Sequence, residues 1–272
     1  RNGYDHAVRT AGVTLLEVGQ AGRVSPEQIE AAIHADTVAI LFVFGETIDR
    51  RGEVSLKDIV DIGKRRGVPI ILDASVANYP FDRLQEFAAL GIDLITTSGG
   101  KHIFGPPGTG FLFGRQDLMD VCRLMANPIH GIGRPLKIGK EEIVGLVTAL
   151  EIYVERDVEA EHRGWETSVR TMAEALADLP HATVTITAAD EVDRPVPRVR
   201  LAIDEQGLGT SAADIAEVLQ KAEPSVRVTR FSLDEGVLIL NPVCLLPGDE
   251  ALVVQALREA WQIGRASCRE RV

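Results

Sequence analysis

The chain has 272 residues and a formal net charge of −11; 45% of its residues are hydrophobic and 25% are charged. A chain of this length can bury one large core, or a large one and a small one. The acidic balance argues against an extended nucleic-acid surface, because phosphate contacts need clustered Lys and Arg. No apolar run in the sequence is long enough to span a bilayer, so a membrane-spanning helix is not expected.

Cysteine usage and the C-terminal end carry two further indications. Cys122, Cys244 and Cys268 have neither metal-ligand spacing nor a paired framework, which favours a cytoplasmic protein. The last ten residues, 263–272 (IGRASCRERV), resemble a translated sequencing-library adapter. We therefore leave them out of the fold prediction.

The first 115 residues alternate between predicted strands and predicted helices. The apolar runs that predict strands lie at 13–18, 37–44, 68–73, 93–97 and 110–113. The helical patterns lie at 25–35, 55–66 and 81–90. The run at 37–44 is continuously apolar, which is typical of a strand covered on both faces. This order of elements predicts an α/β fold with a mostly parallel sheet.

The second half of the chain predicts a smaller domain of a different kind. A helix at 119–125 and an irregular Gly- and Pro-rich segment at 127–140 precede a long helical pattern at 141–179. That pattern fits one helix, or two helices joined near Gly164. Beyond it, the predicted strands lie at 183–187, 199–203, 225–229 and 236–240, and the predicted helices at 211–222 and 249–260. The sequence therefore predicts a small α+β domain after a large α/β domain.

A glycine- and proline-rich loop after the fourth predicted strand carries Lys101, directly behind Ser98 and two glycines. An amine at a strand end, among residues that let the backbone approach a ligand, is what a Schiff-base lysine requires. The alternative is a solvated loop lysine. The same loop contains GPPGTG at 105–110, which copies the first part of an ATPase phosphate loop. Phe111 follows where that motif needs a lysine, so ATP binding is not expected.

Asp73 ends the third predicted strand, and the Lys101 loop follows the fourth. In open parallel sheets, ligands bind beyond the carboxyl ends of the strands. We therefore expect the carboxylate and the amine at the same edge of the sheet. The alternative for Asp73 is a helix cap or a turn residue.

Three features together resemble a known family: the SGGK sequence before a Gly-Pro turn, the upstream aspartate, and GRPLKIGKEEIVG at 133–145. They are similar to the fold-type-I pyridoxal 5'-phosphate (PLP) enzymes related to bacterial selenocysteine synthase and D-glucosaminate-6-phosphate ammonia-lyase. The resemblance implies the three-layer sheet of PLP-dependent transferases, with a PLP-binding domain at 1–157 and a small domain at 158–262. It also implies that part of the cofactor domain, with the main phosphate-binding groups, precedes Arg1 in the complete protein.

The resemblance implies a role for each candidate residue. Lys101 would hold the cofactor as an internal aldimine and move a proton at the alpha carbon of the substrate. Asp73 would keep the pyridine nitrogen protonated, so that the ring acts as an electron sink. Ser98 would contact the cofactor phosphate, with Thr97 as a less favoured substitute. Ser75 would bond a ring substituent, or only satisfy its own loop.

Arg134 lies in the irregular segment and is the best candidate for anchoring a substrate carboxylate or phosphate. A subunit-interface ion pair is the alternative. Lys140, nearby, is interpreted as a solvated charge, and the same interpretation is the alternative for Lys137. His102 and His130 are interpreted as structural, because neither has a catalytic partner in its motif.

The resemblance implies a PLP-dependent lyase or transferase that acts on a small amine by elimination or replacement, as a homodimer or larger assembly. Transfer of selenium to seryl-tRNA is one alternative, and the acidic composition argues against it. Transamination is another. A PLP-fold protein that binds without catalysis is the non-enzymatic alternative, and the presence of both Lys101 and Asp73 argues against it.

Overall fold

The computed structural model describes residues 5–19, 24–44, 54–190 and 194–269, with only the backbone described from residue 263 onward. The chain divides into two compact units, Arg1–Arg156 and Asp157–Val272, which we describe one at a time. Within the described ranges, every helix is too short or too polar to cross a membrane.

A four-stranded sheet forms the centre of the first unit. Its strands, in chain order, are β1 (Ile40–Val43), β2 (Ile70–Asp73), β3 (Leu94–Ser98) and β4 (Gly110–Gly114), and this is also their order in the sheet. The first three strands are parallel and β4 is antiparallel to β3. Asp73 on β2 pairs with Thr96 on β3. The sheet is therefore mostly parallel, as predicted.

Six helices of the first unit lie within the described residues, and serine caps begin two of them. They are α1 (Asp5–Thr10), α2 (Pro26–Ala32), α3 (Leu56–Arg66), α4 (Asp82–Leu90), α5 (Gln116–Met125) and α6 (Lys140–Val154). Ser25 and Ser55 each form a capping box, in which the serine and the third helical residue satisfy each other's backbone N–H. The buried side of α3 packs with the strands, and Ile59 and Leu72 are both fully buried in the same core.

Two strand predictions in this unit need correction. Residues 13–18 form no strand, and Val13 and Leu16 are 40% and 59% exposed. The run at 37–44 forms a strand only over Ile40–Val43, and Leu41 on it is 38% exposed. Phe42, whose side chain points to the opposite face, is buried, so among the described residues one face of β1 is covered and the other is partly open, which corrects the expectation that both faces are covered.

The second unit is a small α+β body, as predicted. It contains α7 (Val158–Leu176), β5 (Ala182–Thr187), β6 (Arg198–Ile203), α8 (Glu205–Leu208), α9 (Ala212–Lys221), a short 3-10 helix (Leu233–Glu235), β7 (Val237–Leu240) and α10 (Asp249–Arg269). The three strands are antiparallel in the order β5-β6-β7. The core between sheet and helices includes Met172, Leu201, Leu238 and Trp261. The indole N–H of Trp261 donates to the carbonyl of Pro180 at 2.9 Å.

Three predictions for this half need correction. The long helical pattern breaks at residues 155–157, because the carboxylate of Asp157 accepts the N–H of Ala160 (2.8 Å) and starts a new helix; Gly164 lies inside α7. Residues 225–229 form no strand, and only an isolated bridge joins Thr229 to Ile239. The last helix continues beyond 260, through the part of the 263–272 segment that the structure describes.

Candidate active site

The candidate residues lie where two neighbouring parallel strands end. Asp73 is the last residue of β2, and Ser98 is the last residue of β3. Lys101 comes three residues after Ser98, in the loop that leads to β4. Because β2 and β3 are parallel and hydrogen-bonded neighbours, their carboxyl ends lie at one edge of the sheet. The structure therefore brings the segments that carry Asp73, Ser75, Ser98 and Lys101 to the same edge.

Asp73 is 9% exposed and is fixed by its neighbours. Its Oδ1 accepts the backbone N–H of Ser75 at 2.9 Å, and its carbonyl accepts the N–H of Phe44 at 2.9 Å. The N–H of Ala74 then donates to Thr96 on β3 at 2.8 Å. A carboxylate can accept about four hydrogen bonds, so the turn leaves capacity for a further donor.

Thr97 and Ser98 present their hydroxyls to opposite sides of β3, because successive side chains alternate along a strand. Thr97 is buried, and its hydroxyl accepts from Asn78 Nδ2 (3.1 Å) and donates to the carbonyl of Ala74 (3.4 Å). Ser98 is only half-buried. Of the two side chains, that of Ser98 is therefore the more accessible.

The lysine loop is a compact turn. The N–H of Phe104 donates to the carbonyl of Lys101 (2.9 Å), and the N–H of Gly105 donates to the carbonyl of Gly99 (2.8 Å). Lys101 itself is exposed. A Cβ on Gly100 would lie 2.6 Å from the Cα of Pro107, so this position requires glycine. The turn thus presents the amine outward on a backbone that is packed behind it.

Helix α6 supports this loop from one side. A Cβ on Gly145 would lie 2.8 Å from Cγ of Pro106, so glycine at this position lets the helix approach the loop closely. Leu146 is buried in the same contact. Just beyond the helix, Arg156 Nη1 donates to the carbonyl of His102 at 2.8 Å. The GRPLKIGKEEIVG motif therefore includes the first turns of the helix on which the lysine loop packs.

Sequence reasoning missed three residues that join these segments: Asn78, Tyr153 and Arg156. The side chain of Asn78 is fully buried and bonds to the end of β3. The hydroxyl of Tyr153 donates to the backbone carbonyl of Asn78. No local pattern could have found them, because their partners are distant in sequence. The one available signal was an asparagine between the apolar residues Ala77 and Tyr79.

The remaining candidate residues are His102, Arg134, His130, Lys137 and Lys140. The ring of His102 is buried and lies 5.0 Å from the ring of Tyr79, between centroids. Arg134 is half-buried in the segment between α5 and α6, and its Nε is buried with no hydrogen-bond partner among the described residues. His130, Lys137 and Lys140 are exposed. A role for Arg134 at the site stays a prediction.

Comparison with known protein families identifies the chain. The family model described as "SelA: L-seryl-tRNA selenium transferase" matches residues 5–179. The chain belongs to this family. The expected relationship to selenocysteine synthase and the ammonia-lyases is thereby confirmed.

Three curated relatives show the breadth of the family. The D-glucosaminate-6-phosphate ammonia lyase of Salmonella typhimurium (strain 14028s / SGSC 2262) is 32% identical over 257 residues, which cover 93% of this chain and 65% of the relative. The 5'-C-glycyluridine monooxygenase-decarboxylase of Streptomyces sp is 34% identical over 256 residues (93% and 61%). The L-seryl-tRNA(Sec) selenium transferase of Aquifex aeolicus (strain VF5) is 25% identical over 289 residues (94% and 61%). The chain thus spans less than two thirds of the length of each.

Solved structures agree with the family assignment. The structure of D-glucosaminate-6-phosphate ammonia-lyase matches with a TM-score of 0.75 and 30% identity, covering 95% of this chain and 67% of that one. The cysteine desulfurase CsdA from Escherichia coli matches with a TM-score of 0.57 at 15% identity, which supports the fold alone. The expected fold, the α/β architecture of fold-type-I PLP-dependent enzymes, is confirmed.

Proposed function

We propose that this family member is a PLP-dependent lyase or transferase acting on a small amine. One observation carries the proposal: a buried carboxylate and an exposed amine follow two neighbouring parallel strands at the same edge of the sheet. A protein that only binds a partner has no need for that combination. The related ammonia lyase and selenium transferases are named enzymes, which supports a catalytic function.

The residues present fit PLP. Lys101 offers an exposed amine for a covalent bond to the cofactor, on a turn packed too closely at Gly100 for any side chain. Asp73 offers a buried carboxylate that would pair with a protonated ring nitrogen. Ser98 would donate its hydroxyl to the phosphate, and Ser75 fixes the Asp73 carboxylate through its backbone N–H. PLP, when bound, supplies an electron sink for negative charge at the alpha carbon of the substrate.

Two side chains of the protein, those of Lys101 and Arg134, would then act on the substrate. The amine of Lys101, once released, would accept and return the proton at the alpha carbon of the substrate. The guanidinium of Arg134 would bind an anionic group of the substrate, because its planar donors match a carboxylate or phosphate. The buried, unpaired Nε of Arg134 is a donor that such an anion would satisfy.

A phosphorylated or carboxylated amine is the favoured substrate class, and elimination or replacement is the favoured reaction. Over a comparable share of this chain, 93% and 94%, the relative named for D-glucosaminate 6-phosphate is 32% identical and the selenium transferase of Aquifex aeolicus 25% identical. The family model, however, is named for selenium transfer to seryl-tRNA, so this reaction is the second candidate. The net charge of −11 speaks against a tRNA-binding surface. Release of ammonia from amino-sugar phosphates, or conversion of seryl-tRNA, would separate the two candidates.

We also propose a homodimer or larger assembly and a cytoplasmic location. Helices α5 and α6 carry large apolar side chains that are exposed, among them Val121, Leu124, Val144 and Val147. Large exposed apolar patches are characteristic of interfaces, and these side chains would supply such a patch. Light scattering should give at least twice the subunit mass, and Val144→Glu should lower it toward one subunit. Leu246→Glu, at an exposed position in the second unit, is the matched control.

The proposal is tested by adding PLP to the full-length protein and recording the absorbance of lysine-bound cofactor. We expect the band in the wild type and in Lys64→Ala, whose amine is exposed on α3 and donates to the carbonyl of Leu90. We expect its loss in Lys101→Ala. A band that survives in Lys101→Ala would reject the proposal. Cofactor binding without turnover of any amine would favour the non-enzymatic alternative.

A further inference from the structure

Arg156 contacts the lysine loop at two residues that follow Lys101. Its Nη1 donates to the carbonyl of His102 at 2.8 Å. Its guanidinium carbon lies 4.9 Å from the ring centroid of Phe104, and also 4.9 Å from that of Tyr153. A guanidinium can donate a hydrogen bond and stack on aromatic rings at the same time, because its donors lie in its plane and its faces are free to stack.

The contact with Phe104 matters because the backbone of this residue is strained. Phe104 has φ of 58°, in the left-handed region that a bulky L-residue adopts only at a cost. Phe104 is 53% exposed, so burial alone does not compensate for this strain. Two contacts favour the conformation: the N–H of Phe104 bonds to the carbonyl of Lys101, and its ring contacts Arg156. The guanidinium of Arg156 therefore contacts the strained residue of the turn that carries the amine.

Tyr153, whose ring lies against the guanidinium of Arg156, supports the loop that follows Asp73. The hydroxyl of Tyr153 donates to the backbone carbonyl of Asn78, in the loop that follows Asp73. The side chain of Asn78 then bonds to Thr97 and Ser98 at the end of β3. The end of α6 is therefore in contact with the loop after the carboxylate as well as the loop of the amine.

We propose that Arg156 is a positioning residue, which holds the turn from Lys101 to Phe104 so that the Lys101 amine is directed at the cofactor. This inference rests on the proposed function, and it adds a residue outside the SGGK motif. Arg156 acts on the backbone of the loop and needs no contact with the cofactor or the substrate.

The first measurement is amide hydrogen exchange of the loop peptide in the full-length protein without cofactor. We expect Arg156→Ala to speed exchange at the N–H groups of Phe104 and Gly105 by about tenfold, because local opening of the turn becomes easier. Arg156→Lys keeps the positive charge but lacks the planar guanidinium, so its exchange rates should lie between those of the wild type and of Arg156→Ala. Arg163→Ala removes an exposed arginine that pairs with Glu159 at 3.7 Å, and should leave the loop unchanged.

The second measurement is titration with PLP, following the absorbance of lysine-bound cofactor and the pH at which that absorbance changes. We expect weaker binding, by about tenfold, and a displaced pH profile in Arg156→Ala but not in Arg163→Ala. Loop exchange equal in the two variants would overturn the proposal. Faster exchange with unchanged binding and pH profile would also overturn it, since Arg156 would then be only structural. A wild type that binds no PLP, while its loop still responds to Arg156→Ala, would reject the proposed function and leave Arg156 a purely structural residue.

Discussion

Asn78 donates both of its side-chain hydrogen bonds to the end of β3, one to the hydroxyl of Thr97 and one to the carbonyl of Ser98, each at 3.1 Å. Asn78 belongs to the loop that follows Asp73, and Ser98 precedes the lysine loop. One buried amide therefore joins the segment of the carboxylate to the segment of the amine.

Replacing Asn78 should destabilise the protein and disturb the site. Asn78→Ala leaves buried acceptors at Thr97 and Ser98 without their donor, which costs about 1–3 kcal/mol. Urea unfolding at pH 7 measures the change, and the affinity for PLP should fall with it. Asn127→Ala, at an exposed position where the amide makes one long hydrogen bond to the carbonyl of Arg134 (3.4 Å), should change the free energy of unfolding by less than about 0.5 kcal/mol. Equal effects of the two substitutions would contradict the assigned role of the Asn78 amide.

Two glycines should respond to alanine in opposite directions. In Gly100→Ala the new methyl meets the backbone of Pro107 at 2.6 Å, and we expect a loss of about 1–3 kcal/mol together with weaker PLP binding. In Gly164→Ala the methyl meets no atom within 4 Å, inside α7, so stability should rise by up to about 1 kcal/mol. Thermal unfolding measures both. A neutral Gly100→Ala would mean that the lysine turn is not close-packed.

The start of α3 should lose stability in acid. The backbone N–H and the hydroxyl of Ser55 donate to the carboxylate of Asp58 (3.0 and 2.7 Å) and lower its pKa. Because the folded pKa is depressed, this stabilisation is fully present above the unfolded value of about 3.9 and is lost as pH falls through the folded pKa.

Ser55→Ala should therefore cost about 1 kcal/mol at pH 7, and less at a pH below the folded pKa of Asp58. Free energies of unfolding at pH 7 and at the lowest pH at which the protein stays folded give the comparison. Ser225 is a suitable control, because its hydroxyl donates to a backbone carbonyl and not to a titrating group. Its alanine variant should show the same cost at both pH values. A Ser55→Ala cost independent of pH would refute the link to Asp58.

Arg134 should affect substrate binding more than chemistry. Loss of a charge-assisted bond to an anion is worth about 1.5–3 kcal/mol, so Arg134→Ala should raise KM about tenfold or more for an anionic amine. The value of kcat should change little, because the bond is made in ground state and transition state alike. Lys140→Ala, at an exposed position, should leave KM unchanged. An unchanged KM in Arg134→Ala would favour the interface alternative.

Local sequence signals were sufficient for two of the helix starts and for the edge at which the site forms. Ser25 and Ser55 predicted their helices because a capping box involves only residues three apart. Asp73 and Lys101 were predicted at one edge because parallel strands end on the same side.

Signals that depend on distant partners could not be read from the sequence. Residues 13–18 have the alternation of a strand, but within the described residues no neighbouring strand pairs with them. The partners of Asn78 and Arg156 are 19 and 54 residues away, at Thr97 and His102, and nothing in the local pattern names them. The position of Gly164 suggested a break, whereas a cap at Asp157 decides where the helices divide.

The most direct test of the central claim is chemical trapping. The full-length protein is incubated with PLP, reduced with borohydride and digested, and the modified peptide is identified by mass spectrometry. We predict a phosphopyridoxyl group on Lys101, lost in Lys101→Ala and retained in Lys64→Ala. A label on another lysine, or a label that persists unchanged in Lys101→Ala, would contradict the account.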